Sequence, residues 1–189
     1  QHSLRLKPEL IAYDRNLNLT DLFFKYGIRI NTDLVMDLQC DFMPFGVGGS
    51  KEKSQFEFLH WNYYPLFESK NNHPINKNLG LIAGRFVNSI DTVKAEGITK
   101  TILLSTSDNS RKLGTPALIS LNENRNTPED VLFNQKNIPT AVLLEGNFKS
   151  LYKNRISQLQ ADSLTKLGAP YLPESIGNAK LIVVADGDM

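Results

Sequence analysis

Three short apolar runs, each followed by polar residues, dominate the pattern of this chain. They lie in 99–111, 140–147 and 180–188, and their apolar parts read Ile-Leu-Leu, Ala-Val-Leu-Leu and Leu-Ile-Val-Val-Ala. An uninterrupted apolar run that ends in turn-forming residues is typical of a strand buried on both faces. Three such strands predict an α/β fold with an open, mainly parallel sheet in a three-layer arrangement. In such sheets ligands usually bind beyond the carboxyl ends of the strands.

Helical and further strand patterns occupy the segments between these runs. Residues 18–27 predict a helix with an Asn cap and a terminal Gly, and 158–167 predict a second one ended by Gly and Pro. The order Thr-Pro-Glu-Asp at 127–130 is typical of a helix start. Residues 33–38 and 117–121 read as short strands.

Residues 41–78 differ in composition from the rest of the chain, with more glycine and aromatic residues. They are expected to form a β-rich loop or hairpin elaboration of one domain that spans 1–189. Glycines at 45–51 predict a hairpin turn, because the spacing of a phosphate-binding loop is missing. An aromatic cluster follows, at Phe56, Phe58, Trp61, Tyr63, Tyr64 and Phe67. Such a cluster forms either a local core or a platform on which Trp61, Tyr63 and Tyr64 stack against a sugar. The sequence leaves both interpretations open.

Composition narrows the class of function. The 189 residues carry a net charge of +1, and the basic residues are scattered, which argues against a nucleic-acid partner. One cysteine, Cys40, excludes an internal disulfide, and three histidines without ligand spacing predict no metal site and no cofactor. The chain starts without Met and ends directly after a predicted strand, so we expect an excised fragment of a larger protein.

The polar residues after the three apolar runs are the candidate chemical groups. They are Asp108 and Arg111, then Glu145, then Asp186 and Asp188. In a parallel sheet they would share one edge, where carboxylates serve acid–base chemistry or bind a divalent cation. Alternatively, they only end strands in turns. The sequence contains neither the nucleophile elbow of hydrolases nor a dinucleotide-binding glycine motif, so we expect no enzyme.

Four stretches in the same order resemble a known family. Residues 17–40 contain Tyr-Gly-Ile-Arg-Ile-Asn-Thr-Asp-Leu-Val; 101–111 read Thr-Ile-Leu-Leu-Ser-Thr-Ser-Asp-Asn-Ser-Arg; 139–155 begin Pro-Thr-Ala-Val-Leu-Leu-Glu-Gly-Asn; and 181–188 read Leu-Ile-Val-Val-Ala-Asp-Gly-Asp. Together they resemble the GldG family, the gliding-motility-associated ABC transporter auxiliary proteins of Bacteroidetes. The specificity of this resemblance lies in the joint occurrence of the stretches.

The resemblance implies a domain on the periplasmic side of the cell inner membrane, with a flavodoxin-like or glutamine-amidotransferase-like fold. It also implies partners, namely the permease and ATPase subunits of the same transporter, and membrane attachment through segments missing from this fragment. It supplies no catalytic residue. We therefore expect a non-catalytic interaction domain in gliding motility, which makes contacts through the strand-end loops and the aromatic segment. The alternatives are a carbohydrate-binding module or degenerate sugar-processing enzyme, and a hydrolase that uses Asp108, Glu145, Asp186 or Asp188.

Overall fold

A computed structural model describes residues 9–50, 53–69, 71–121 and 130–187. Its strands are β1 (Glu9–Ala12), β2 (Ile28–Ile30), β3 (Asp33–Asp37), β4 (Cys40–Ser50), β5 (Lys53–Phe67), β6 (Ile82–Ala83), β7 (Ile90–Thr92), β8 (Ile98–Ser105), β9 (Ser110–Gly114), β10 (Ala117–Ser120), β11 (Pro139–Gly146) and β12 (Ala179–Val184). Its α-helices in these ranges are α1 (Thr20–Tyr26) and α2 (Gln158–Lys166), and a short 3-10 helix spans Asp130–Leu132.

The three apolar runs form one sheet, with strand order β12–β11–β8. Both pairings are antiparallel: Leu143 of the central strand lies opposite Ile182 on one side and opposite Thr101 on the other. The predicted open parallel sheet of an α/β fold is therefore wrong. The described chain is mainly β, built from small antiparallel sheets.

The prediction of burial on both faces is correct for β11, whereas Ile102 of β8 and Ile182 of β12 are 43% and 47% exposed. The apolar pattern carries no information about strand direction. Leu143 and Leu144 point to opposite faces of β11, and both are fully buried. The expected helical layers are missing from the described part of the chain: α1 contributes only the partly buried Phe23 and Tyr26 to the core around β11, and neither α1 nor α2 has a fully buried residue. Side chains from other strands pack there instead, among them Ile28, Phe67 and Ile90.

The remaining strands pair in small antiparallel sheets. β1 pairs with β10, β2 with β7, β3 with β9, and the long β4–β5 hairpin adds the short β6. A second core cluster lies among these sheets, separate from the cluster around β11. Its buried members are Leu34, Met36, Trp61, Tyr63, Ile119 and Phe133. Thus the hydrophobic interior has two centres, and the second lies under the aromatic segment.

Two buried aspartates fix β3 to neighbouring segments. Asp33 accepts hydrogen bonds from the backbone nitrogen of Ser89 at 2.8 Å and from its hydroxyl at 2.6 Å. At the other end of the strand, Asp37 accepts from the backbone nitrogen of Ser107 at 2.7 Å and from its hydroxyl at 2.5 Å. Buried carboxylates need such donors, because burial removes their water. The acidic ends of β3 therefore have a structural role.

The β2–β7 ribbon carries an ion pair on its surface. Arg29 lies opposite Asp91 in the strand register and donates to it at 2.7 Å. Partial burial alone would raise the pKa of Asp91, but hydrogen bonds from Arg29 and Asn31 and the charge of Lys112 lower this pKa below its usual value. The pair is accessible to solvent, so it contributes little to the free energy of folding.

Several local predictions are confirmed by the structure. The helix predicted at 18–27 is α1, ended by Gly27 in a left-handed conformation at φ 90°, although its cap residue is Leu19 rather than Asn18. The predicted helix at 158–167 is α2, which begins at a Ser157 capping box. The predicted helix start at 127–130 falls almost wholly outside the described residues. Among the described residues, no helix is long and apolar enough to cross a bilayer.

Candidate interaction surface

The β4–β5 hairpin has one face that packs on the protein. Strand alternation places Met43, Phe45 and Trp61 on this inner face, next to the second core cluster. The rings of Phe45 and Trp61 lie 5.8 Å apart between centroids, and Trp61 is fully buried. The inner face thus anchors the hairpin and determines which side chains point away from the protein.

The opposite face of the hairpin is apolar and exposed. The strand register pairs Phe42 with His60, Pro44 with Phe58 and Gly46 with Phe56, so these six residues share a face. The exposed fractions of Phe42, Phe56 and Phe58 are 50%, 61% and 66%. Phe42 and His60 also contact each other, with ring centroids 4.2 Å apart. We call these six residues the hairpin face; an exposed apolar patch of this kind marks a contact surface.

The aromatic residues predicted to stack on a sugar lie elsewhere. Trp61 is fully buried and Tyr63 is 3% exposed, and both belong to the second core cluster. Tyr64 is half-buried, and its ring lies edge-on to the Phe86 ring at 5.7 Å. These rings offer no flat exposed platform to a pyranose, so the aromatic segment supplies a local core. The exposed aromatics are instead the phenylalanines of the hairpin face.

The antiparallel sheet separates the acidic groups that were expected at one edge. β8 and β12 end at one end of the sheet, whereas β11 ends at the other, where Glu145 lies opposite Lys180 and pairs with it at 2.8 Å. Asp186 follows β12 and accepts a hydrogen bond from the backbone nitrogen of Arg85 at 2.9 Å. Glu145 and Asp186 therefore do not form a catalytic pair.

The remaining predicted residues make contacts in loops. Asp108 is exposed and accepts a hydrogen bond from the side chain of Asn137 at 3.0 Å. The guanidinium carbon of Arg111 lies 5.6 Å from the centre of the Phe133 ring, a cation–π contact. Asp188 lies outside the described residues. Within the described ranges, no group of three or more His, Cys, Asp or Glu side chains is arranged to hold a metal ion.

The sequence gives no indication that Cys40 and His60 are in contact. The Cys40 sulfur lies 3.8 Å from Nδ1 of His60 and 3.3 Å from the side-chain oxygen of Asn62. Cys, His and Asn also occur together in cysteine hydrolases. Here, however, burial and the negative charge of Asp37 raise the pKa of the Cys40 thiol to about 11. A thiol that stays protonated at neutral pH is a poor nucleophile, so this trio has no activated group.

Comparison with known proteins decides the family. A family model described as "ABC-type uncharacterized transport system" matches residues 1–189. The chain belongs to this family of ABC transporter auxiliary proteins. Neither the curated proteins nor the solved structures gave a match. Membership supports an accessory, non-catalytic role in ABC transport.

Neither the exposed row of the hairpin face nor the contact between Cys40 and His60 was predicted from the sequence. Strand alternation places Phe56, Phe58 and His60 on one side of β5, and this signal is present in the sequence. The register of β4 against β5 then brings Phe42 beside His60. The glycines at the end of β4 do not determine which residues face one another, since the pairing is irregular near Gly46 and near Cys40.

Proposed function

We propose that this chain is a non-catalytic contact domain of an ABC transporter auxiliary protein, and that it acts by binding protein through the hairpin face. The observation that carries the proposal is the row of three phenylalanines, each at least half exposed, on a hairpin anchored by a buried tryptophan. A single domain seldom exposes such a row unless another molecule covers it. The family match over the whole chain supplies the transport context.

Within this family, the chain is proposed to be a GldG-type component of the gliding-motility transporter of Bacteroidetes. Its place would be the periplasmic side of the inner membrane, attached through segments outside this sequence, with the permease and ATPase subunits as partners. The four ordered stretches at 17–40, 101–111, 139–155 and 181–188 support this assignment. The match to an ABC transport family supports the class of partner.

Affinity capture of the intact parent protein tests this proposal. The tagged parent is purified from detergent-solubilised membranes of its native host, and co-purifying proteins are identified by mass spectrometry. We expect an ABC permease and an ABC ATPase, both absent from an untagged control. The Cys40→Ala variant should recover the same partners and support the same gliding, because the thiol has no chemical role. Recovery of neither subunit with the wild-type parent would refute the transporter assignment.

A further inference from the structure

We propose that a second copy of this chain covers the hairpin face, in a dimer with two-fold symmetry in which the two hairpin faces pack on each other. This inference depends on the proposal above that the hairpin face is a protein contact surface. It names the partner that covers the face and predicts that the auxiliary protein works as a dimer. Three properties of the face support it, namely its area, its lack of charge and the proline in its outer strand.

The exposed area of the face fits a homodimer. A phenylalanine that becomes fully buried removes roughly 150–250 Å² from water, so three rings exposed at 50%, 61% and 66% present roughly 350 Å². A standard interface buries about 800 Å² on each partner, of which about 65% is apolar in homodimers. The three rings therefore supply more than half of the apolar area that a stable dimer needs.

The face is also compatible with itself. A two-fold interface brings the same patch of both copies together, so a charge near the axis would face its own copy. The hairpin face consists of Phe42, Pro44, Gly46, Phe56, Phe58 and His60, with no acidic residue, lysine or arginine among them. The nearby Glu57 points to the other side, opposite Phe45. Packing face on face thus brings together apolar rings without opposing carboxylates or ammonium groups.

Pro44 favours face packing over strand addition. β4 is an edge strand in the described sheet, since it pairs only with β5. A proline inside a paired strand is placed where its nitrogen faces away from the partner, because it has no hydrogen to donate. The open edge of β4 therefore lacks a donor at Pro44. A partner strand added along this edge would lose a ladder hydrogen bond there, whereas packing on the face loses none.

Other exposed apolar side chains provide a matched comparison. Leu159 and Ile176 are 78% and 85% exposed, more than any ring of the hairpin face. They lie in α2 and in the loop before β12, and not on a paired strand face. Ile176 is therefore a control for the general effect of an exposed apolar residue, because it is even more exposed but has no neighbouring row of rings.

Sedimentation velocity of this purified 189-residue chain tests the dimer over low to high micromolar concentrations. We expect a dimer for the wild type and for Ile176→Ser, and a monomer for Phe56→Ser/Phe58→Ser. The double substitution should raise the dimer dissociation constant by at least about 100-fold, because buried aromatic anchors typically contribute about tenfold or more each. Circular dichroism and thermal melting check folding, and a folded Phe58→Ser single variant with weakened dimerisation would support the same conclusion.

Two results would overturn the dimer. One is a wild-type chain that stays monomeric at the highest concentration. If this monomer also floats with phosphatidylglycerol vesicles, the hairpin face is a lipid contact and not a dimer interface. The other is a dimer that Phe56→Ser/Phe58→Ser leaves unchanged. These outcomes are distinct from failure of the transporter assignment. A monomer whose parent still recovers the permease and ATPase overturns only the dimer, and a dimer whose parent recovers neither overturns only the proposed subunit partners.

Discussion

Replacing Asp37 by alanine should severely destabilise the fold. Its side chain is fully buried and accepts three hydrogen bonds, from the backbone nitrogens of Gln39 and Ser107 at 2.9 and 2.7 Å and from the Ser107 hydroxyl at 2.5 Å. A hydrogen bond to a charged group contributes about 1.5–3 kcal/mol, and the contributions of bonds that share one group do not simply add. We therefore expect Asp37→Ala to lower the free energy of unfolding by about 3–5 kcal/mol.

This loss is large relative to the stability of an ordinary domain, which is about 5–15 kcal/mol. For a chain of this length, each kcal/mol lowers the melting temperature by roughly 2–4 °C, so a decrease of about 10 °C is expected. Urea unfolding can be followed by fluorescence, because the single tryptophan, Trp61, is fully buried in the native state. Its emission should shift to longer wavelength as the chain unfolds.

Two variants serve as controls for this measurement. Ser107→Ala removes only the hydroxyl and leaves the backbone donor to Asp37, so it should cost about 1–2 kcal/mol. Asp162→Ala removes an exposed carboxylate of α2 and should change stability by less than about 0.5 kcal/mol. If Asp37→Ala costs no more than Ser107→Ala, the role assigned to the buried carboxylate is wrong.

Three further predictions test the packing and the titrating groups. Gly146→Ala should lower the free energy of unfolding by more than about 2 kcal/mol, because a Cβ there would clash with the backbone oxygen of Gly97, whereas Gly114→Ala places its Cβ in open space and should be nearly neutral. Urea unfolding compares the two variants, and equal stabilities would contradict the placement of Gly146. In the native state at pH 8, Cys40 should react slowly with a chromophoric disulfide reagent, because its pKa is raised to about 11, and in urea it should react at once. A fast reaction of the native protein would contradict the raised pKa of Cys40. Because the pKa of Asp91 is lowered in the folded state, its ion pair stabilises the fold above about pH 4, and this stabilisation is lost as the pH falls through the folded-state pKa. Asp91→Asn should therefore lower the free energy of unfolding by less than about 1 kcal/mol at pH 7 and leave it unchanged in stronger acid, and a difference in thermal melting that does not depend on pH would refute this role of Asp91.

Local elements were predictable because their signals are local. Gly27 ends α1 in a left-handed conformation that other residues rarely adopt, and Ser157 opens α2 with a capping box. Strand direction was not predictable, since an apolar run such as that of β11 indicates only that both faces are buried. The residues that bury it come from distant strands, and their pairing depends on contacts that no short stretch of sequence records.

The candidate surface was only partly predictable from the sequence. The density of aromatic residues pointed to the right segment, and strand alternation is what puts Phe56 and Phe58 on one side. Which side faces water depends on the second core cluster, into which Trp61 and Tyr63 insert. The sugar platform failed for this reason, because the largest rings of the segment are the ones that the core needs.

The central claim is that this chain works through a surface and not through a reactive group. The most direct test replaces the chromosomal copy in the native host with Phe56→Ser/Phe58→Ser, Cys40→Ala or Ile176→Ser and measures gliding and protein level. We predict that only the hairpin-face variant loses gliding, at a protein level equal to that of the wild type. Normal gliding by the hairpin-face variant, or loss of gliding by Cys40→Ala at normal protein level, would contradict the account.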